Sequence, residues 1–212
     1  MKRVHALHPV QVERLVAATD DRFRPLVHFL AVTGLRFSEA AALRWANVDL
    51  ALRRARVTEG ATEVNGVLCV GGTKTRKSVR DVPLTGHLVQ ELATLMPLDA
   101  DPQSLVFASP RGGMLRISAF RKRYFKPAVL EAGLDTRIRI HDLRHTAISS
   151  WIAAGIDIVE VSKRAGHSSI TVTVDIYGHL FDNSLGEMSD RLDAYYARLN
   201  DLPAPPSLRI VR

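Results

Sequence analysis

The sequence predicts a mainly α-helical α+β fold, on three observations. Apolar residues at helical spacing open the chain. Short valine-rich runs, separated by glycine or by a charged turn, occupy the middle. Helical spacing then resumes and continues almost to the end.

Taken in order, Val10 to Ala18 places Val12, Leu15, Val16 and Ala18 on one helical face. Pro25 opens a second apolar helix through Val32, as proline does in a first turn, and Gly34 ends it. An alanine-rich third helix is expected from Arg36 to Trp45. Arg54–Thr58, Val64–Val70 and Ser78–Val82 read as three strands of a small antiparallel sheet. Thr85 caps a helix to about Met96, and Ser118 caps another to about Ala132, bent or restarted at Pro127. His141 to Ala154 forms the next, and Asp157 with Glu160 opens one that Gly166 closes. From Ser184 to Leu199, the residues Leu185, Met188, Leu192, Tyr195, Tyr196 and Leu199 draw one apolar stripe, expected to rest on the domain's own core. A proline-containing tail, Leu202 to Arg212, follows it.

Composition narrows the function classes. A chain of 212 residues, 46% hydrophobic and 24% charged, can bury a core without disulfides or a structural metal. The single cysteine, Cys69, excludes an internal disulfide and fits a cytoplasmic location. There is no apolar run of membrane-spanning length and no signal-peptide core, so no membrane role is expected. A net charge of +7 suits a polyanionic partner, although charge alone fits a basic protein without one equally well.

Four segments carry chemistry: Thr33–Leu43, Gly71–Leu84, His141–Thr146 and Ala165–Leu180. Between them they hold the parts that transesterification at a phosphodiester needs. Guanidinium forks, here Arg36 and Arg144, match the two non-bridging oxygens and stay charged. A tyrosine hydroxyl forms a reversible ester once its pKa of about 10 is offset by a base or cation. A lysine or histidine protonates the leaving oxygen, and Lys74 sits in an expected hairpin turn. No metal or other cofactor is required. His141 and His145 are four residues apart, as in a zinc peptidase helix, but Asp142 replaces the glutamate and Arg144 repels a divalent ion. Packing or hydrogen bonding is the better expectation for His145. Ile158 to Tyr177 also reads as a helix-turn-helix, which leaves open a non-catalytic DNA-binding regulator.

Together and in this order, the Thr-Gly-Leu-Arg-x-x-Glu box, the hairpin lysine, the His-x-Leu-Arg-His box, Gly-His and a tyrosine ten residues later resemble the tyrosine recombinases, or phage integrases. The resemblance runs from about His8 to Leu199. It implies an integrase-like catalytic domain with a small three-stranded antiparallel sheet, and site-specific recombination through a 3′-phosphotyrosyl link on Tyr177. It also implies Arg36 and Arg144 as phosphate clamps, Lys74 as the acid, His141 as a base or phosphate ligand, and His167 as a further phosphate contact. Glu39 would orient these cations or His141. Lys74, Arg76, Lys77 and Arg80 around the hairpin, with Arg121, Lys122, Arg123 and Lys126 on one helix, are expected to line a duplex-DNA face. The implied organisation is a catalytic domain over residues 1–183 with a C-terminal helix and tail over 184–212, the family's usual N-terminal core-binding domain being absent. A monomer in solution and a tetramer on DNA are expected, the C-terminal helix exchanging to a neighbour.

Overall fold

The structure, a computed structural model, describes residues 5–64, 67–72, 79–181 and 185–200. Two helices, α1 (Pro9–Ala18) and α2 (Arg24–Thr33), lead to the short α3 (Phe37–Ala42). The helix expected to reach Trp45 stops three residues earlier and gives way to a 3-10 turn, Trp45–Asn47.

The strands are β1 (Val48–Asp49), β2 (Arg54–Val57), β3 (Glu59–Val64), β4 (Val67–Gly72) and β5 (Arg80–Pro83). A three-stranded antiparallel sheet runs β1-β2-β5, and β3 pairs with β4 as a separate hairpin. The first and third expected strands are therefore present, but Val64–Val70 is not one strand. Val64 pairs with Val67 across Asn65 and Gly66, so that run is the end of one strand and the start of the next. Asn-Gly between alternating residues is a hairpin signal, and it outweighs the valine content. Lys74, Arg76 and Lys77 lie outside the described residues, between β4 and β5 in the chain.

In the helical second half, α4 (Gly86–Leu95) begins where Thr85 Oγ1 accepts the Leu88 N–H at 3.3 Å. Next come α5 (Ile117–Phe120), a π-helical turn (Arg121–Phe125) and α6 (Lys126–Glu131). Arg116, not Ser118, precedes the first of these. The widened turn comes just before Pro127, which lacks an N–H and whose ring would crowd the carbonyl four residues back. The last helices are α7 (Ile140–Ala153), α8 (Ile158–Ala165), α9 (Ile170–Tyr177), a 3-10 turn (Gly178–Phe181) and α10 (Leu185–Asn200).

The main core gathers Phe23, Phe29, Phe37, Phe120 and Phe125 with aliphatic residues of α1, α2, α4, β2 and β5. A second cluster, Ala147, Ile148, Trp151, Ile152, Val161, Ala165 and Tyr177, lies under α7–α9, with Ile176 and Phe181 packed against it. Leu7 N–H donates to Thr146 Oγ1 at 2.9 Å and ties the start of the described chain to α7.

The expectation that α10 rests on its own domain is overturned. Met188, Leu192, Tyr195, Tyr196 and Leu199 are all exposed. Ile176 and Phe181 already complete the nearby cluster, so the stripe has no seat there. Among the described residues, no helix is long and apolar enough to cross a membrane.

Candidate active site

The site is organised around the C-terminal end of α8. Asp157 accepts the Val159 and Glu160 N–H groups at the helix start, and Gly166 closes it at φ 67°. Three successive carbonyls at that closing end each accept from a different arginine. Arg80 Nε donates to Arg164 O at 2.8 Å, Arg144 Nη2 to Ala165 O at 2.6 Å, and Arg36 Nη2 to Gly166 O at 3.4 Å. A helix C-terminus carries partial negative charge and unpaired carbonyls, so it attracts cations. Gly166 is required twice over. Its φ is left-handed, and a Cβ there would lie 3.0 Å from the Arg80 guanidinium carbon.

Each arginine reaches this point from a distant element. Arg36 precedes α3, just after Gly34 turns the chain out of α2 at φ 64°. A Cβ on Gly34 would meet the Trp151 ring at 3.2 Å, so glycine also permits α2 to lie against α7. Arg144, on α7, is almost fully buried and additionally donates to Gly34 O at 2.7 Å. Burial, followed by the charge of Arg36, brings its pKa down to about 10, which leaves it cationic at neutral pH. Arg36 stays half exposed.

Glu39 fixes two of the three. Its Oε2 accepts the Arg36 backbone N–H at 2.8 Å, capping α3, and its Oε1 accepts from Arg36 Nη1 at 3.0 Å. Both oxygens also accept from Arg80, at 3.0 and 2.8 Å. Burial opposes the Glu39 charge, but the Arg80 and Arg36 contacts outweigh it and hold the carboxyl below its ordinary pKa. Glu39 thus touches Arg80 and Arg36, and not His141.

Arg80 corrects an expectation. Placed with the DNA-facing cations from sequence, it is buried and fully engaged by Glu39 and Arg164 O. The signal was available. Arg80 and Val82 alternate along β5 and share a face, and Val82 is core.

The nucleophile candidate lies next to this cluster. The Tyr177 hydroxyl is 2.5 Å from His145 Nδ1, and its ring stacks on His167 at 6.4 Å with 12° between the planes. Burial pushes the Tyr177 pKa up to about 12 against the pull of Arg144. His145 and His167 are both brought down to about 4, first by burial and then by neighbouring charge from His141 and Arg144 respectively. At neutral pH these groups are a phenol and two neutral imidazoles. The phenol therefore donates to His145 Nδ1, the tautomer that the contact demands. His167 Nδ1 lies 2.7 Å from Thr173 Oγ1.

His141 is exposed one helical turn before His145, with the rings edge to face at 4.8 Å. Its pKa is lowered by burial and by Arg144. Sequence reasoning gave His141 the principal role, whereas it is His145 that touches Tyr177. Thr173 was not foreseen at all, since its contact depends on the turn after Gly166.

Arg121, Lys122, Arg123 and Lys126 are exposed. Arg123 lines a cavity with Asp20, Asp21 and Glu131, and Lys126 donates to Thr136 O at 3.3 Å. On α9, Thr173 and Tyr177 turn inward against His167 and His145, which does not favour the helix-turn-helix reading.

Comparison with known proteins fits this arrangement. The Tn1549 transposon integrase, solved in complex with circular intermediate DNA, shares the fold at a TM-score of 0.75 and 21% identity, over 92% of this chain and 68% of that one. The crystal structure of XerA recombinase matches at a TM-score of 0.66 and 27% identity, over 90% of this chain and 64% of that one. The fold is that of a tyrosine recombinase catalytic domain. Residues 5–184 match the Phage integrase family, and the chain belongs to it. The ICEBs1 integrase of Bacillus subtilis strain 168 is 30% identical over 175 residues, which is 76% of this chain and 46% of the relative. The chain thus spans about half the length of the curated relatives it matches.

Proposed function

We propose that this chain breaks and rejoins duplex DNA by transesterification, with Tyr177 as nucleophile. The observation that carries the reading is the convergence of Arg36, Arg144, His145, His167 and Tyr177 at one helix end. A scissile phosphate seated between the two guanidinium groups meets donors for both non-bridging oxygens. Tyr177 Oη attacks phosphorus, the bond to the 5′-oxygen breaks, and a 3′-phosphotyrosyl ester and a 5′-hydroxyl result. The phenolic proton passes to His145, and Lys74 protonates the leaving oxygen, a role that rests on sequence resemblance.

The electrostatics link this chemistry to binding. His145 and His167 are weak bases first because they are buried and then because positive charge lies nearby. An incoming phosphate anion places negative charge beside them and raises both pKa values. His145 is then a better proton acceptor with substrate present than without it. Tyr177 is 1% exposed, so attack also requires the segment that carries it to move outward.

On DNA, the exposed stripe of α10 is assigned to a second copy of the chain, in a tetramer. An apolar helix face left open on the monomer supports this, since such patches mark interaction surfaces. The reading is tested with a nicked suicide duplex and denaturing electrophoresis. Wild-type protein is expected to form a covalent adduct that Tyr177→Phe does not form. An adduct that persists in Tyr177→Phe refutes the assignment.

A further inference from the structure

Away from the arginine cluster, two helices bring three metal-ligating side chains to one spot. His28 projects from α2, while His87 and Glu91, four residues apart on α4, share a helical face. Glu91 Oε2 lies 2.7 Å from His28 Nδ1, and Oε1 lies 3.4 Å from His87 Nε2. The imidazole rings meet edge to face with centroids 5.1 Å apart. One ligand atom from each residue falls within 4.8 Å of the others. The group borders a surface cavity of about 500 Å³ that Glu13 and Arg24 also line.

We propose that His28, His87 and Glu91 form a binding site for a divalent transition-metal ion, zinc foremost. Tetrahedral zinc with bonds of about 2.0–2.2 Å sets its ligand atoms roughly 3.3 Å apart. The separations here bracket that value, so small side-chain rotations close the site without moving the backbone. Two imidazoles and one carboxylate suit zinc, and the nitrogen ligands disfavour magnesium and calcium. Three protein ligands leave a fourth position that opens onto the cavity, where water completes the shell.

Hydrogen bonding alone accounts for part of the arrangement, because Glu91 can accept from both rings. A metal ion would use the same nitrogen and oxygen atoms that these contacts already bring within one ion's reach. The ion would act as a brace. His28 sits eight residues before Arg36 on the helix that delivers it, and α4 directly follows β5, which carries Arg80. Joining α2 to α4 therefore fastens the supports of two of the three clustered arginines.

The test uses the full chain freed of metal with a chelator, then titrated with Zn²⁺ by calorimetry and with Co²⁺ by visible absorption. One ion per chain, a four-coordinate Co²⁺ spectrum and a higher unfolding temperature with Zn²⁺ are expected. His87→Ala alters an exposed side chain, and Glu91→Gln keeps its shape. Each is expected to weaken binding by about tenfold or more and to remove the thermal shift. His145→Gln, which disables the other histidine pair at helical spacing, is expected to leave binding intact. The proposal is overturned by absence of saturable binding. It is equally overturned by unchanged affinity in His87→Ala and Glu91→Gln, or by loss confined to His145→Gln, which would place the ion at His141 and His145.

Discussion

Replacing Arg80 with methionine tests the framework of the site. Methionine keeps much of the side chain's length and removes its charge. Glu39 then loses both Arg80 contacts and keeps only those of Arg36, while remaining almost entirely buried, with side-chain exposures of 4% for Arg80 and 6% for Glu39 in the intact pair. Removing one partner of a buried ion pair costs about 3–5 kcal/mol. For a chain of this size, each kcal/mol lowers the melting temperature by about 2–4 °C, so a fall of roughly 6–20 °C follows. The deficit is pH-dependent. In the wild type, Glu39 has a lowered pKa, so its ionic contribution is present above the unfolded value and is lost as pH falls through the folded value. In Arg80→Met, burial favours the protonated acid against the Arg36 contacts alone, and the deficit should shrink between about pH 7 and pH 4. The double variant Arg80→Met/Glu39→Gln removes the stranded charge, keeps a capping side chain, and should be more stable than Arg80→Met alone. Urea unfolding at both pH values reads all of this. A deficit below about 1 kcal/mol, an equal deficit at both pH values, or no gain in the double variant would refute the argument.

Further predictions concern the chemistry and the tail. Stability should fall on acidification from about pH 6.5 towards pH 4. His145 and His167 have folded pKa values of about 4, so the unfolded chain binds more protons in that window. Unfolding curves of His145→Gln and His167→Gln should show a shallower dependence, and unchanged slopes would count against buried neutral imidazoles. Lys74→Ala should fail on ordinary DNA yet cleave a substrate with a 5′-bridging phosphorothiolate, whose sulfur leaves without a proton. Equal loss on both substrates would remove Lys74 as the acid. Arg36→Lys and Arg144→Lys should each slow cleavage by about tenfold or more, because charge survives but the fork does not; wild-type rates in both would be incompatible with the clamp. Removal of residues 184–212 should abolish oligomers on DNA, measured by native electrophoresis, and a truncated chain that assembles normally would leave the α10 stripe without that role.

The sequence made the helices legible because their caps and stripes are local. Asp157, Thr85, Gly34 and Gly166 each mark a boundary that the structure keeps. The sheet was legible in part, since valine content identifies strands but not their partners, and Asn65-Gly66 was the overlooked clue. At the site, Arg36, Arg144, His167 and Tyr177 stood out because their spacing carries a chemical pattern. The roles of Arg80 and His145 were hidden for a different reason. Their partners, Glu39 and Tyr177, lie 41 and 32 residues away on α3 and α9, and only tertiary packing brings them together. The α10 stripe shows the opposite limit. Its periodicity is plain in the sequence, yet a stripe says only that a surface wants covering, not which molecule covers it.

The three carbonyls that anchor the arginines belong to the end of α8, whereas Tyr177 belongs to the next helix, eleven residues beyond Gly166. The jaw and the blade are thus mounted on separate pieces. Displacing α9 moves the hydroxyl without breaking any of the three arginine–carbonyl hydrogen bonds. A phosphate can be gripped while the nucleophile stays sheathed, so occupancy and scission are distinct events. On the proposed chemistry, a chain that has docked but not released its tyrosine would leave the duplex whole, and the decision to cut would belong to whatever draws α9 out.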